Sequence, residues 1–321
     1  MTALDEAATR LEKLRNTIVH CNVPLSRHTR FGLGGPAAIF VDTPEETSFA
    51  DAIDVARTMG IKTEVIGGGT NLVCSDTGFE GLILRYTADE ITFDNNRVRV
   101  QAGAVLQDLV DATISEGLAG IHTMTGVPGW VGGAVYGNAG AYGRSMHQNV
   151  TSVRFFDGER VREFNNAECG FGYRSSTFKD NKGWIVFSTE LQLEEADAPA
   201  LKQQADDILT IRNAKYPPTM KCAGSIFKNL ILDDLAAHVR EQVDPKVIRE
   251  GKVPSAFFLE AVGAKGLKNG DIHVADYHAN LIYNAGQGTA QQVREVIADL
   301  KSRVQSRFGF EVEEEVQYVG F

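Results

Sequence analysis

The chain has 321 residues and a formal net charge of -10; 43% of its residues are hydrophobic and 23% are charged. Because a nucleic-acid partner requires a basic surface, this acidic balance excludes one. The length exceeds what a single hydrophobic core usually organises, so we expect about two or three domains.

The cysteines and the first residues of the sequence indicate the cellular compartment. The cysteines are scattered and form no C-x-x-C pair, which is typical of a reduced cytosolic protein without a disulfide framework or a zinc site. Asp5 and Glu6 stand where a signal peptide has basic and then apolar residues. No apolar run approaches the roughly 18 residues of a membrane span. We therefore expect a cytoplasmic protein with no membrane partner.

The first 80 residues predict alternating helices and strands. An amphipathic helix covers Leu4 to Leu14, and Thr43-Pro44-Glu45-Glu46 predicts a second helix with Thr43 as N-cap, ending near Met59. An apolar strand at 63–66 then leads into the glycines at 67–69. This alternation indicates an α/β or α+β fold.

The rest of the chain is first rich in strands and then mixed. Short strands begin at Gly81 and are interrupted by one helix over about 106–116. A helix over 198–213 ends at Tyr216-Pro217-Pro218, which predicts a boundary near Lys215. A last helix covers 289–308, and a final strand over 311–321 ends the chain.

Residues 126–143 read GVPGWVGGAVYGNAGAYG, with seven glycines and no lysine or arginine. Such a segment forms either a tight buried turn or a cradle of backbone N–H groups for an anion. Two shorter glycine stretches, at 32–35 and 67–69, also lie at strand ends. A large phosphate-bearing cofactor held by several backbone loops explains this set better than three unrelated turns.

Several common motifs are missing. The sequence has no GxxxxGK[ST] phosphate loop and no GxSxG nucleophile motif. Residues 32–37 satisfy GxGxxA formally, but no apolar strand precedes them and Pro36 disrupts the turn. His273 and His278 have no cysteine or carboxylate at ligand spacing, which favours hydrogen-bonded histidines and no metal site.

Three small groups of residues could carry chemistry. Arg174, in GFGYRSS, could clamp a carboxylate or could be an ordinary surface arginine. Ser225 follows a small-residue turn, so its hydroxyl could face a ligand or simply belong to a Gly-Ser turn. The glutamate run at 311–315 is by default a solvated strand face.

Taken in order, these segments match a known family. The matching blocks are HTRFGLGGPA, GGGTNL, GVPGWVGGAVYGNAGAYG, FGYRSSTF, AGSIFKN, HANLIYN and EVEEEVQYVG, and they cover about residues 28–320. With them the chain resembles the UDP-N-acetylenolpyruvoylglucosamine reductases (UDP-N-acetylmuramate dehydrogenases) of bacterial peptidoglycan synthesis. His28 and Leu230 depart from the family blocks, which usually have asparagine and proline there.

The resemblance implies an α+β fold with a two-part FAD-binding module of the vanillyl-alcohol-oxidase type and a C-terminal α/β substrate-binding domain. It places the N-terminal FAD-binding subdomain at 1–78 and the middle one at 79–214, joined by the terminal strand 310–321. The substrate-binding domain is then 215–309. The short segment between Arg174 and Lys215 resembles the family type without the loop that carries a substrate-gripping tyrosine.

The resemblance also implies the reaction. NADPH is the reductant and FAD the cofactor, and UDP-N-acetylglucosamine enolpyruvate is reduced to UDP-N-acetylmuramate by a monomer. Carried over by motif, Arg174 stabilises the enolate, Ser225 protonates it as general acid, and Glu315 orients or polarises it. Strand alternation does not choose between Glu314 and Glu315; the family block selects Glu315 and leaves Glu314 without a role.

The remaining site residues follow from the same blocks. Tyr173, Lys215, Asn229 and His278 are expected to contact substrate. The expected FAD contacts are Gly67, Gly68, Gly69, Thr70, Asn71, Gly126, Pro128, Gly129, Gly132, Gly133, Asn138, Gly140, Ala141 and Tyr142. Two rival functions stay open: another FAD oxidoreductase of the same fold acting on a hydroxy acid or sugar, and a catalytically silent nucleotide-sugar-binding protein.

Overall fold

The structure is a computed structural model that describes residues 2–321. The chain forms two units, each built from separate stretches. The first contains the chain up to Val23, Ala37–Gly69 and Phe79–Ala214. The second contains Pro24–Pro36, Thr70–Gly78 and Lys215–Phe321. Two short pieces from the first quarter of the sequence therefore fold with the last third.

The helices of the described chain are α1 (Ala3–Leu11), α2 (Glu46–Thr58), α3 (Leu106–Ser115), α4 (Val131–Tyr136), α5 (Thr177–Asp180), α6 (Ala198–Lys215), α7 (Ala237–Arg240), α8 (Ser255–Ala261) and α9 (Ala290–Phe308).

The strands are β1 (Ile18–Pro24), β2 (Pro36–Thr43), β3 (Thr63–Val65), β4 (Leu72–Cys74), β5 (Phe79–Tyr86), β6 (Ile91–Asp94), β7 (Arg97–Gln101), β8 (Leu118–Ala119), β9 (Gly140–Ala141), β10 (Arg144–Ser145), β11 (Val150–Phe156), β12 (Val161–Asn165), β13 (Ile185–Gln192), β14 (Glu194–Glu195), β15 (Lys221–Ser225), β16 (Leu230–Ile231), β17 (Lys252–Val253), β18 (Lys268–Asn269), β19 (Ile272–Ala275), β20 (His278–Asn284) and β21 (Gln317–Val319).

Two sheets organise the first unit. One has the order β1-β2-β5-β3, in which β2 and β3 both run parallel to β5. The other has the order β12-β11-β13-β7-β6 and is antiparallel throughout. Aromatic residues join their buried faces: the Phe49 and Phe187 rings lie edge to face at 5.5 Å, and Tyr86 packs on Phe187 at 4.7 Å. A single hydrophobic cluster runs through this unit.

The second unit has an antiparallel sheet of order β15-β20-β19-β18, with α9 packed in its core. Apolar residues of α9 recur every three or four positions, as expected for one buried helix face: Val293, Val296, Ile297, Leu300, Val304 and Phe308. Thr289 caps the helix in a capping box with Gln292, and Gly309 ends it in the left-handed conformation with φ 80°. This helix agrees with its prediction at both ends.

The terminal strand β21 pairs in parallel with β4, so Gln317 lies beside Leu72 and Val319 beside Cys74. This differs from the predicted union of 310–321 with the middle subdomain, because β4 belongs to the second unit. Of the predicted final strand, only Gln317–Val319 forms a β-strand. The preceding glutamates form no continuous ladder: Glu314 makes one isolated antiparallel bridge with Phe227.

One local prediction was wrong: Glu45 is the N-cap of α2, while the hydroxyl of Thr43, two residues earlier, accepts the Glu45 N–H at 3.2 Å. The glycine segment contains a short helix, α4, for which the sequence analysis made no prediction. Glycine has a low helix propensity, so the sequence pattern alone does not indicate this helix.

Substitution of Gly320 tests how tightly the terminal strand is held. A Cβ there would lie 2.2 Å from the Gly78 carbonyl oxygen, and φ is 82°. Gly309 has nearly the same φ, 80°, but a Cβ would meet nothing within 4 Å, so it is the matched control. We expect Gly309→Ala to lower the free energy of unfolding by about 1–2 kcal/mol through backbone strain alone. Gly320→Ala should cost at least about 1–2 kcal/mol more.

Urea unfolding of the two variants and the unsubstituted protein measures this difference. Equal losses for Gly309→Ala and Gly320→Ala would contradict a tightly packed terminal strand.

Candidate active site

Two of the three glycine stretches meet in the first unit. A Cβ on Gly68 would lie 3.1 Å from Trp130 Cδ1 and 3.4 Å from the Gly129 Cα. A Cβ on Gly67 would lie 3.7 Å from Trp130 Cβ. The backbone at 67–68 therefore runs directly against the start of α4, and a side chain at Gly68 would force Trp130 to move.

Helix α4 is fixed on one side and bare on another. The Val131 and Gly132 N–H groups donate to the Ala104 and Ala102 carbonyls, both at 2.9 Å, and a Cβ on Gly132 would lie 2.8 Å from Ala102 Cβ. A Cβ on Gly133 would meet nothing within 4 Å. Gly132 is thus required by packing, whereas Gly133 leaves room for a ligand. Residues 126–133 therefore combine a buried turn with an open cradle, and they fit a large cofactor held by backbone.

An ion pair supports this corner of the first unit. Arg85 and Asp42 are neighbours in the register of β5 and β2, and their side chains bond at 2.6 Å through both Nε and Nη2. The Arg85 guanidinium also lies 5.2 Å from the centre of the Trp130 ring and 4.9 Å from that of Phe40. Sequence reasoning missed this group, because only the strand register brings Asp42 opposite Arg85.

Arg174 joins the glycine segment. Its Nη2 donates to the Gly140 carbonyl at 3.1 Å, and its guanidinium lies 5.3 Å from the centre of the Tyr173 ring. Nearby, the buried Asn138 amide donates to the Gly172 carbonyl at 2.8 Å. The structure thus brings a predicted catalytic residue next to several predicted FAD contacts.

Backbone strain is concentrated in this region. Within residues 2–321, seven non-glycine residues have positive φ, and three of them are predicted site residues: Asn138 at 43°, Tyr142 at 51° and Arg174 at 54°. Such conformations cost free energy and cluster at functional sites. Tyr142 is also 47% exposed, and Ala141 beside it pairs with Arg144 across β9 and β10.

Ser225 ends β15 in the second unit. It follows Gly224, whose φ is 76°, and the β15–β20 register shifts between Cys222 and Ser225. A Cβ on Gly224 would meet nothing within 4 Å. The Ser225 hydroxyl lies 2.9 Å from the Tyr216 hydroxyl. This irregular strand end keeps Ser225 paired with Leu281 and places its hydroxyl beside that of Tyr216.

The terminal segment brings Glu315 beside Ser225. The Glu315 N–H donates to the carbonyl of Ile226, the residue after Ser225, at 2.7 Å. The Asn71 amide donates to the Glu315 carbonyl at 2.9 Å, and the Gln317 N–H donates to the Asn71 carbonyl at 3.0 Å. Asn71 was predicted as an FAD contact; in the second unit it holds the backbone that carries Glu315.

The other glutamates have structural partners. Glu313 pairs with Lys228, whose backbone N–H also donates to the Glu313 carbonyl at 2.9 Å. Glu314 accepts from Lys301 at 3.1 Å and from the Tyr318 hydroxyl. These bonds explain a carboxylate on an otherwise apolar face, which alternation alone left unexplained.

Tyr216 is another residue that sequence reasoning missed. It was interpreted only as part of the signal that ends the helix over 198–213. Its hydroxyl lies 3.4 Å from His278 Nε2 as well as 2.9 Å from Ser225 Oγ, and Lys215 Nζ lies 5.1 Å from the centre of its ring. The predicted contacts Lys215 and His278 thus meet at the proposed general acid. Asn229 is exposed, and Thr70 lies in the second unit beside Asn71.

The described residues, 2–321, show neither a metal site nor a membrane-spanning helix. They contain no group of three or more histidine, cysteine, aspartate or glutamate side chains placed to hold a metal ion. None of their helices combines the length and the apolar character that a membrane crossing requires.

Comparison with known proteins gives the family. Residues 37–161 match a model described as FAD binding domain, and residues 216–319 match the C-terminal domain of UDP-N-acetylenolpyruvoylglucosamine reductase. A reductase of that name from Solibacter usitatus is 56% identical over 97% of this chain and 100% of its own length. The chain belongs to the UDP-N-acetylenolpyruvoylglucosamine reductase family.

Further members of the reductase family agree along the whole chain. The Bacillus subtilis reductase is 30% identical over 94% of each chain. The crystal structure of the Thermus caldophilus reductase superimposes with a TM-score of 0.73 at 28% identity, covering 94% of this chain and 99% of that one. The predicted family, the α+β fold class and the cofactor FAD are confirmed.

The pH dependence of stability tests the burial of His278. Burial, reinforced by the charges of Lys215 and Lys265, lowers the pKa of this imidazole from 6.5 to about 4. Between these values the unfolded chain binds a proton that the folded chain does not, so the free energy of unfolding falls as the pH decreases from 6.5 to 4. We expect His278→Gln to reduce the slope of the unfolding free energy against pH in this window, by up to about the contribution of one bound proton.

Urea unfolding of both proteins at several pH values across this window measures the slopes. Parallel curves would contradict the lowered pKa.

Proposed function

We propose that this protein reduces UDP-N-acetylglucosamine enolpyruvate to UDP-N-acetylmuramate in peptidoglycan precursor synthesis, with NADPH as the reductant. Bound FAD supplies hydride-transfer chemistry between the two substrates. The observation that carries the proposal is the position of Ser225, hydrogen-bonded to Tyr216 and directly before Ile226, whose carbonyl accepts the Glu315 N–H, in a chain of the reductase family.

Reduction of the enolpyruvyl group adds hydride to its terminal carbon and leaves negative charge on the adjacent carbon and its carboxylate. Ser225 is the proposed proton donor to that carbon. A serine hydroxyl is a weak acid, but an enolate carbon is basic enough to accept its proton. Ser225 follows the register shift at the end of β15, and its hydroxyl lies 2.9 Å from that of Tyr216.

Arg174 is the proposed cation for the developing charge. A guanidinium presents paired N–H donors that match the two oxygens of a carboxylate. The bond to the Gly140 carbonyl and the strained backbone at φ 54° fix the orientation of this side chain before substrate binds. Such preorganised charge stabilises a transition state without reorganisation during the reaction.

Glu315 is the proposed orienting carboxylate. Its backbone is held at both polar groups, by Ile226 and by Asn71, and Glu313 and Glu314 pair with lysines. Within the run, the family block selects Glu315 for this role.

The proposed FAD contacts lie in the glycine loops described above: Gly67–Gly69 with Thr70 and Asn71, residues 126–133 and residues 138–143. We assign FAD binding to 1–78 and 79–214 and substrate binding to 215–309, with Tyr173, Lys215, Asn229 and His278 as substrate contacts. The protein is proposed to act as a cytoplasmic monomer. The scattered cysteines, which form no C-x-x-C pair, support that location.

Gly133 provides a test of the FAD cradle. Because a Cβ there meets no protein atom, Gly133→Ala should leave the stability of the FAD-free protein unchanged or raise it by about 0.5–1 kcal/mol through helix propensity. The added methyl group would occupy cofactor space, so we expect the FAD affinity to fall by about tenfold or more. Gly137→Ala, at the end of the same helix, is the matched control.

Titration of FAD-free protein with FAD, followed by flavin fluorescence, measures the affinity. Equal affinities for Gly133→Ala and Gly137→Ala would remove Gly133 from the cradle.

Ser225→Ala separates the two half-reactions. Reduction of the flavin by NADPH should survive, whereas reduction of UDP-N-acetylglucosamine enolpyruvate should slow by about 100-fold or more because the proton donor is lost. Stopped-flow absorbance of the flavin follows each half-reaction. Loss of both together would make Ser225 structural. Absence of substrate-dependent NADPH consumption by the unsubstituted enzyme would refute the proposed function itself.

A further inference from the structure

A chain of three polar side chains ends at Ser225. The Tyr216 hydroxyl lies 2.9 Å from Ser225 Oγ and 3.4 Å from His278 Nε2, and the Tyr216 and His278 rings meet nearly edge to face at 6.0 Å. The Tyr216 ring packs against a small buried cluster of Cys222, Ala275 and Leu281. This packing holds the phenol in one place relative to β15 and β20.

The donor and the acceptor in each of these hydrogen bonds follow from the number of hydroxyl hydrogens. Each hydroxyl has one hydrogen. If Ser225 donates its hydrogen to Tyr216, that hydrogen is directed away from any substrate. If Tyr216 donates to Ser225, the serine hydrogen remains available to a reacting carbon. Only the second arrangement lets Ser225 act as an acid. In it, Tyr216 accepts from His278 when the imidazole hydrogen is on Nε2.

We propose that Tyr216 is a positioning residue for Ser225: it directs the serine proton toward the substrate and resupplies it after transfer. This inference rests on the proposed function, because it assumes that Ser225 protonates the enolate.

The proton balance is simple. The Ser225 O–H bond breaks and a C–H bond forms at the carbon next to the carboxylate, with the O–H electron pair staying on Oγ. The Tyr216 proton then moves to Oγ, so serine is restored and the negative charge is left on the phenol oxygen. A proton from solvent returns to Tyr216 before the next turnover, which is the proton that the overall reduction consumes.

The surroundings suit a transient phenolate. The Lys215 ammonium lies 5.1 Å from the centre of the Tyr216 ring, and His278 is within hydrogen-bonding range of the phenol oxygen. Burial lowers the pKa of His278 to about 4, so the imidazole is neutral near pH 7 and serves as a hydrogen-bond donor rather than as an acid. A nearby cation and a neutral donor both stabilise an oxyanion.

Tyr216→Phe tests the inference, with Tyr283→Phe as the matched control. Tyr283 packs against the same small cluster, and its ring contacts His273, so the control removes the same atom without touching the chain of hydroxyls. For Tyr216→Phe we expect flavin reduction by NADPH within about twofold of the unsubstituted enzyme and reduction of the enolpyruvyl substrate slower by about 10- to 100-fold. Its solvent deuterium isotope effect on the second step should increase.

A second readout needs no turnover. The ¹⁵N signals of the His278 imidazole should shift in Tyr216→Phe and stay unchanged in Tyr283→Phe, because only the first variant loses the hydroxyl beside Nε2. Replacement of Tyr216 by a fluorinated tyrosine, which keeps the hydroxyl but makes it a stronger acid, should retain the hydrogen bonds and change the isotope effect.

The possible outcomes distinguish failure of this inference from failure of the proposed function. If both phenylalanine variants have the same substrate-reduction rate and isotope effect, Tyr216 has no part in proton transfer and the inference is overturned. If Tyr216→Phe is unstable, an isotope effect unchanged by the fluorinated tyrosine overturns it instead. If the unsubstituted enzyme does not consume the enolpyruvyl substrate, the proposed function fails, and this inference fails with it.

Discussion

The candidate acid in the second unit depends on one backbone hydrogen bond, from the Glu315 N–H to the Ile226 carbonyl. It joins the end of the chain to the strand end that carries Ser225. Around it, the Glu313 carbonyl accepts the Lys228 N–H, and Asn71 bonds to the backbone at both Glu315 and Gln317. Each of these hydrogen bonds engages a backbone group of the terminal segment. Together they fix the position of the Glu315 backbone relative to that of Ser225, although the two residues are 90 positions apart in sequence.

The first unit combines close packing with open space beside helix α4. Two glycines of this helix have different roles. Gly132 permits close packing on Ala102, whereas Gly133 leaves its face of the helix without a side chain. The Asp42–Arg85 pair supports Trp130 beside this corner, and Arg174 is tied to it through Gly140. The proposed cofactor contacts and the proposed catalytic cation are thereby organised by the same short segment.

The sequence allowed the family, the fold class and most long elements to be predicted, because helix α9 and the antiparallel strands have strong periodicity and clear caps. It did not reveal helix α4, since a glycine-rich helix depends on tertiary contacts such as those with Ala102 and Ala104. Tyr216 was missed for a related reason. Its role depends on the distance to Ser225 and His278, and no local pattern encodes a contact across 62 residues. Glu314 likewise acquired a role only through Lys301 and Tyr318.

The second unit is assembled from residues 24–36, 70–78 and 215–321, and its strand β4 pairs with β21 from the last of these stretches. Because β4 is synthesised long before β21, it lacks this strand partner until β21 has been made. Contacts of such large sequence separation form late, and edges that lack partners are prone to wrong associations in the meantime. The surroundings of the proposed acid are thus completed only by contacts of large sequence separation, such as those of Asn71 with Glu315 and Gln317.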